Sequence, residues 1–311
     1  MTTALFTHPE CLEHQTPPGH PEQVARLHAI EEALCGAEFA ALQRHEAPLC
    51  DDEDILLCHP QGHLDAIAAA VPASGSRALD ADTHLSPGSL SAARRAVGGC
   101  LAAVDMVMAG RVRNAFVACR PPGHHAEQGT PMGFCLFGNA AIAARHAMER
   151  HGLTRVAVVD FDVHHGNGTQ ALLWDEARCL FLSSHQHPLW PGSGKSDESG
   201  AHGQIRNLPL PPYSDGKLMR AIYRAEAWPA IDRFAPELIV VSAGFDAHRD
   251  DPLAQLNWRR EDFAWLTREI CALADRHCAG RVVSTLEGGY DLRALAAATA
   301  AHVSVLMEAG A

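Results

Sequence analysis

Four short runs of apolar, mostly β-branched residues constrain the fold of this 311-residue chain more than any other feature; they lie at residues 115–119, 156–159, 238–242 and 282–286. Runs that are apolar throughout are typical of strands buried on both faces of a parallel sheet. Helical periodicity rich in Ala and Leu predicts helices near residues 21–35, 89–109, 138–150, 216–234, 259–279 and 291–308. This alternation of strands and helices predicts an α/β fold built on a parallel sheet.

The chain shows no internal division. No glycine-serine linker, block of charge or internal repeat interrupts it, so we predict a single domain over residues 1–311. Residues 72–88 and 189–212 are predicted to be long surface loops. In open parallel sheets ligands bind beyond the carboxyl ends of the strands, so the residues that follow each apolar run are the candidate functional residues.

Charge and cysteine content narrow the classes of function. The net charge of −12 argues against a protein that binds nucleic acid directly, because phosphate binding needs clustered Lys and Arg. The ten cysteines form no CxxC pair and are interpreted as reduced thiols. The first residues lack a secretory signal, and no run approaches the roughly 20 apolar residues that span a bilayer. We expect a cytoplasmic protein without nucleic-acid or membrane partners.

Residues that can bind a metal ion follow two of the apolar runs. Asp160, Asp162 and His164 come directly after residues 156–159 and alternate along the chain, so they can share one face. Asp246 follows the run at residues 238–242. Carboxylate and imidazole donors suit zinc or a similar divalent ion. Three protein ligands leave a coordination position open, which is typical of a catalytic zinc and favours a hydrolase.

The other two runs are followed by groups that can move or donate protons. His124 and His125 come after residues 115–119 in a turn rich in Pro and Gly, and can serve as general base and acid. Tyr290 follows residues 282–286 and can stabilise an oxyanion. Taken alone, the Asp-x-His triplet is more often a strand cap and the His-His pair more often an ordinary loop feature than part of an active site. Four such motifs at four strand ends favour a single active site.

The same motifs also carry a family resemblance. RPPGHHA, GFCLF, VDFDVHHGNGTQ, SAGFDAHRDDPL and LEGGYDL resemble the zinc-dependent histone deacetylase family, particularly its class II members and the bacterial histone deacetylase-like amidohydrolases. The resemblance covers nearly the whole chain. It implies the arginase/deacetylase fold, a three-layer α/β/α sandwich with a central, mainly parallel eight-stranded sheet. It also implies hydrolysis of the amide of Nε-acetyl-lysine in peptides or proteins, with release of acetate.

The resemblance assigns a role to each residue of the expected active site. It implies that Asp162, His164 and Asp246 bind zinc and that Tyr290 polarises the scissile carbonyl. His125 would act as general base and then acid, beside His124 as its electrostatic neighbour. Asp160 and Asn167 would orient the two rings. A potassium site is also implied, at Asp160, Asp162, His164, Ser183 and Ser184.

Substrate contacts are likewise implied by the resemblance. Gly133, Phe134 and Trp190 would wall the acyl-lysine tunnel. Arg26 matches an arginine near the internal cavity through which acetate leaves. Leu253 follows Asp251-Pro252, where polyamine-selective relatives can carry a glutamate, so Leu253 favours acyl-lysine over an acetylated polyamine.

Several alternatives stay open. An arginase-like site with two manganese ions is disfavoured, because Gly166 stands where that site needs a bridging acid. An acetylpolyamine amidohydrolase would use the same catalytic residues on a slender cationic substrate. A non-catalytic binder of acetyl-lysine is less favoured, because the metal set, the paired histidines and Tyr290 are all present. Longer acyl groups and a homo-oligomeric assembly are both compatible with the sequence.

Overall fold

A central sheet of eight parallel strands organises the protein, as shown by a computed structural model that describes residues 2–311. In chain order the strands are β1 (Thr3–Thr7), β2 (Gln43–Glu46), β3 (Arg77–Ala78), β4 (His84–Leu85), β5 (Asn114–Val117), β6 (Val156–Asp160), β7 (Cys179–Gln186), β8 (Ile205–Leu210), β9 (Leu238–Ala243) and β10 (Val282–Leu286). The sheet order is β2-β1-β5-β10-β9-β6-β7-β8, and β3 and β4 form a separate antiparallel pair.

Helices cover both faces of the sheet. They are α1 (Ala25–Ala33), α2 (Asp52–Ile55), α3 (Gln61–Ala70), α4 (Ser89–Met108), α5 (Asn139–His151), α6 (Asn167–Leu172), α7 (Gly216–Ile222), α8 (Trp228–Phe234), α9 (Arg260–Cys278) and α10 (Leu292–Gly310). One layer contains α4 and α5, which pack against each other, and the other contains α1, α9 and α10. The predicted three-layer α/β/α architecture is confirmed.

The central strands are buried because both of their faces meet a helical layer. Every residue of β6 and of β9 is buried, and most of them are Val, Ile or Leu. Burying one such side chain contributes about 1.5–3 kcal/mol. The four apolar runs form the adjacent strands β5, β10, β9 and β6, so the chemical groups that follow them emerge side by side at one edge of the sheet.

The outer strands were not predicted. β2 at one edge is polar and only half-buried, and β8 at the other edge carries the exposed Arg206 and the half-buried Pro209, so neither forms an apolar run. The predicted loop at residues 189–212 is wrong over Ile205–Leu210, which is β8. The predicted loop at residues 72–88 contains the short β3–β4 pair. The helix predicted at residues 216–234 is interrupted by a π-helical turn at Tyr223–Ala227.

The expectation that no apolar run is long enough to span a bilayer needs correction at one helix. Within residues 2–311, α10 alone has the length and mean hydropathy of a candidate span. Its buried side chains, among them Leu295 and Leu306, belong to the main hydrophobic core, and it packs on α9 and α1. A core helix meets the same criterion, so this feature is weak evidence for a membrane segment.

Candidate active site

Three metal-ligating side chains converge at the carboxyl ends of β6 and β9. Asp162 and His164 follow β6, Asp246 follows β9, and all three are buried. Each offers one ligand atom, and these atoms lie within 4.8 Å of one another. His164 Nδ1 is 3.1 Å from Asp162 Oδ1 and 3.2 Å from Asp246 Oδ2. The neighbouring order of β9 and β6 in the sheet creates this arrangement.

The chemistry of this donor set fits a divalent cation such as zinc. Two carboxylates buried side by side repel each other: burial, and then the charge of Asp162, raises the pKa of Asp246 to about 7. A dication would offset that repulsion, and one imidazole with two carboxylates is a zinc-compatible ligand set. Backbone N–H groups orient both acids, since Val163 N donates to Asp246 at 2.9 Å and Gly288 N donates to Asp162 at 2.8 Å.

The two adjacent histidines lie beside the metal ligands but in different electrostatic environments. His124 Nδ1 is 2.9 Å from Asp160 Oδ2, and the His124 and His125 ring centroids are 3.9 Å apart. Burial alone lowers the pKa of His124, but the charges of Asp162 and Asp160 outweigh it and raise that pKa well above its usual value. Burial and the neighbouring His124 lower the pKa of His125 well below its usual value.

A short chain of hydrogen bonds fixes the tautomer of His125. Asn167 Nδ2 donates to Glu127 Oε1 at 2.8 Å, so the amide oxygen of Asn167 faces the imidazole. That oxygen lies 2.8 Å from His125 Nδ1 and accepts its proton in a hydrogen bond. The Nε2 atom of His125 is therefore the unprotonated nitrogen of the neutral ring, available to accept a proton.

A cavity of about 330 Å³ opens above these groups. Its walls comprise His20, Pro21, Ala81, Asp82, His125, Gly133, Phe134, His164, Leu189, Trp190, Leu253 and Tyr290. The Phe134 ring lies 5.8 Å from that of Tyr290, and the Trp190 ring lies 4.6 Å from that of His125. Gly133 has a positive φ of 55°, and a Cβ there would come within 2.5 Å of Trp190 and 2.6 Å of His125. The cavity shape therefore requires glycine at this position.

The remaining predicted site residues, Arg26, Ser183 and Ser184, do not line the cavity. Arg26 is fully buried, donates to the carbonyl of Gly289 at 2.7 Å and has its guanidinium 5.0 Å from the Tyr290 ring centre. It therefore supports the loop that carries Tyr290. Ser183 and Ser184 lie on β7, where Ser183 is paired with Asp160 of β6. Ser183 Oγ is 2.9 Å from His185 Nδ1, and Ser184 Oγ is 2.5 Å from the Tyr223 hydroxyl.

Comparison with known proteins identifies the family. The family model described as histone deacetylase domain matches residues 20–306. The chain belongs to the histone deacetylase family. It is 41% identical over 278 residues to the histone deacetylase-like amidohydrolase of Pseudomonas aeruginosa, covering 88% of this chain and 73% of that protein. A probable deacetylase of Archaeoglobus fulgidus is 35% identical over 301 residues, covering 94% of this chain and 82% of that one.

A solved structure gives the same assignment for the fold. The crystal structure of the HDA15 HD domain superposes with a TM-score of 0.94 at 33% identity, covering 99% of this chain and 89% of that one. The resemblance to the histone deacetylase family predicted from the motifs is confirmed. As a member of this family, the protein is an amidohydrolase with deacetylase or deacylase activity.

Three further residues of this histone deacetylase fold form hydrogen bonds to the candidate site and were not assigned from the sequence. Glu287, at the end of β10, is fully buried and accepts hydrogen bonds from the backbone of Gly123 and His124. Asp251 accepts a hydrogen bond from Tyr290 N at 2.7 Å, and Glu127 orients Asn167. Glu287 could have been found by the same strand-end rule that singled out Asp160 and Asp246. Glu127 and Asp251 lie in loops whose path the sequence does not specify.

Proposed function

We propose that this protein is a zinc-dependent deacylase that hydrolyses the amide of Nε-acetyl-lysine in peptides or proteins and releases acetate. The observation that carries the proposal is the convergence of Asp162, His164 and Asp246 with His125 and Tyr290 beside one cavity. Ligands for a metal, a proton acceptor and a hydroxyl donor are the parts that amide hydrolysis needs.

Zinc would be held by Asp162, His164 and Asp246, and when bound it supplies Lewis acidity toward the amide carbonyl and the attacking water. His125 would take a proton from that water through Nε2, because Asn167 holds the proton of the ring on Nδ1. The same nitrogen would then return the proton to the departing amine. Membership in an amidohydrolase family supports this role for the paired histidines.

His124 and Tyr290 would stabilise the charge that develops on the substrate. His124 is held by Asp160, and its raised pKa favours the cationic ring beside the negative reaction centre. Burial raises the pKa of Tyr290 well above its usual value, so its hydroxyl stays protonated and can donate a hydrogen bond to the carbonyl oxygen. Arg26 would keep the Tyr290 loop in place through its hydrogen bond to Gly289.

The cavity walls support an acyl-lysine substrate. Phe134 and Trp190 present aromatic surface on which the lysine methylenes would pack, and Gly133 leaves room beside them. Leu253 adds apolar surface to the same cavity. An acetylpolyamine is the second candidate because Asp82 also lines the cavity and would attract a cationic chain.

The proposal includes a structural potassium ion and a cytoplasmic location. Potassium would lie next to β6 and β7, held by oxygen atoms of Asp160, Asp162, His164, Ser183 and Ser184. The register that pairs Asp160 with Ser183 supports this site. All ten cysteines are free thiols, which supports a reducing compartment.

The decisive test compares kcat/KM of the zinc-loaded protein on an acetyl-lysine peptide and on N-acetylputrescine. Faster cleavage of the peptide is the expected result. A preference for N-acetylputrescine would replace the lysine substrate with a polyamine. If neither is cleaved, the same assay with longer acyl-lysine peptides separates a different acyl preference from a protein that only binds acetyl-lysine.

A further inference from the structure

A second cluster of metal-ligating side chains lies between two helices of one layer. Asp105 is near the end of α4, His146 lies in the last turns of α5, and His151 is the final residue of α5. Each offers one ligand atom, and these atoms lie within 4.8 Å of one another. The cluster shares no residue with the active site.

The cluster lies at the edge of the sheet opposite the active site. α4 ends shortly before β5 begins, and α5 ends shortly before β6 begins, so both helix ends lie near the amino ends of these strands. The catalytic groups follow the carboxyl ends of the same strands. The length of the five-residue β6, about 15 Å, therefore separates the two clusters.

Both imidazoles point at one carboxylate oxygen. Asp105 Oδ1 is 2.8 Å from His146 Nε2 and 2.7 Å from His151 Nε2. The two rings are 5.7 Å apart at an interplanar angle of 66°, so they approach that oxygen from different directions. Tetrahedral zinc with ligand bonds of 2.0–2.2 Å needs donor atoms about 3.3 Å apart. The distances from Asp105 Oδ1 to the two imidazole nitrogens would therefore have to lengthen by only about 0.5 Å.

We propose that Asp105, His146 and His151 form a second metal site, for a borderline divalent ion such as Zn²⁺, Ni²⁺ or Cu²⁺. Two imidazoles and one carboxylate are the donors these ions prefer over Mg²⁺ or Ca²⁺. The side chain of His146 is 9% exposed, that of His151 26% and that of Asp105 55%. The site is therefore anchored in the protein on one side and open to water on the other, where a fourth ligand can bind.

The bound ion would link α4 to α5 at their carboxyl ends. At its other end α5 begins beside the catalytic loop, where Asn139 Nδ2 donates to the carbonyl of Pro121 at 3.3 Å. The metal would therefore stabilise the helix on which that loop rests without touching the reacting groups. A ligand that binds only the folded state raises its stability by mass action, so the expected effect is an increase in Tm.

Counting bound zinc tests the proposal. The full-length protein is stripped with a chelator, equilibrated with micromolar zinc and analysed for metal per chain. We expect two equivalents in the wild type, one in His151→Ala, one in Asp246→Ala and none in the double variant. His28→Ala is the matched control, because His28 is an exposed histidine on α1, and it should keep two equivalents.

A measurement of zinc affinity and a check that the variants are folded complete the test. Against a competing chelator, Asp105→Asn should weaken the second equivalent by about tenfold or more. Normal deacetylase kcat/KM and circular dichroism in His151→Ala would show that this variant is folded. The proposal is overturned if His151→Ala binds as much zinc as the wild type, or if Asp246→Ala binds none. Failure of the proposed deacylase reaction would leave these zinc counts unchanged, so the two proposals fail separately.

Discussion

The carboxylate of Glu287 accepts a hydrogen bond from the backbone nitrogen of His124 at 3.1 Å, and the same oxygen accepts one from Gly123 at 2.7 Å. The end of β10 thereby holds the loop that carries His124 and His125. Its other oxygen is 3.2 Å from the Ser242 hydroxyl. All of these groups are buried, so Glu287 is the acceptor on which the position of His124 depends.

We predict that Glu287→Ala destabilises the protein and lowers kcat. Each of the two buried N–H groups left without an acceptor costs about 1–3 kcal/mol, so the free energy of unfolding should fall by about 2–6 kcal/mol. Glu287→Gln keeps one carbonyl oxygen facing both N–H groups and should lose less than half as much. Urea unfolding and kcat/KM of both variants measure this. Equal losses in the two variants would contradict the hydrogen-bonding role.

Tyr290→Phe should retain zinc and lose most turnover. Removing one hydrogen-bond donor to a developing oxyanion costs about 10²–10³ in kcat. Tyr213→Phe is the control, since Tyr213 is 67% exposed and does not line the cavity, and its kcat should be unchanged. Asp246→Ala should lose both the catalytic zinc and activity. Full turnover by Tyr290→Phe with zinc bound would remove the proposed role of its hydroxyl.

Much of the candidate site could be predicted from the residues at the strand ends, because the four apolar runs are neighbours in the sheet. β5, β10, β9 and β6 lie side by side, so the residues after them had to meet. The sequence does not state that order, but any parallel sheet brings carboxyl ends to one edge. Asp162, His164 and Asp246 were therefore identified as a converging set without knowledge of the connections.

The rest of the fold and site depends on information that local patterns do not contain. Edge strands such as β2 and β8 have one unpaired side and tolerate polar residues, so they lack the apolar pattern of a central strand. Glu127 reaches Asn167 only because of the path of the loop between β5 and α5. Arg26 resembles a solvated helix residue in sequence, yet tertiary packing buries it completely.

Leu253→Glu should shift preference toward cationic amines. Leu253 lines the cavity and is half-buried, so a carboxylate there would attract the free ammonium of N-acetylputrescine and add a polar surface beside the lysine stem. We expect the ratio of kcat/KM for N-acetylputrescine to that for the peptide to rise about tenfold, equivalent to roughly 1.4 kcal/mol. Leu253→Gln introduces a side chain of the same shape as glutamate but without its charge, and it should shift the ratio much less. An unchanged ratio in Leu253→Glu would show that Leu253 does not select the substrate.

Acid should destabilise the protein through His59, a buried histidine whose ring nitrogens form hydrogen bonds with the backbone of Gln128 and Gly138. His59 Nε2 accepts a hydrogen bond from Gly138 N at 2.9 Å at the start of α5, and its ring stacks on His63 at 4.5 Å. Burial, and then the charge of His63, lowers the pKa of His59 to about 4.

Because the folded-state pKa of His59 is lower than the unfolded value of 6.5, its contribution to stability is present above pH 6.5 and is lost as the pH falls toward 4. The loss should reach up to about 3 kcal/mol. His59→Gln keeps an acceptor for Gly138 N but cannot titrate, so between pH 7 and pH 4 the wild type should lose more unfolding free energy than this variant. Urea unfolding at both pH values measures the difference, and zinc released by acid affects both proteins equally. Parallel losses in the two proteins would show that His59 is not the acid-sensitive group.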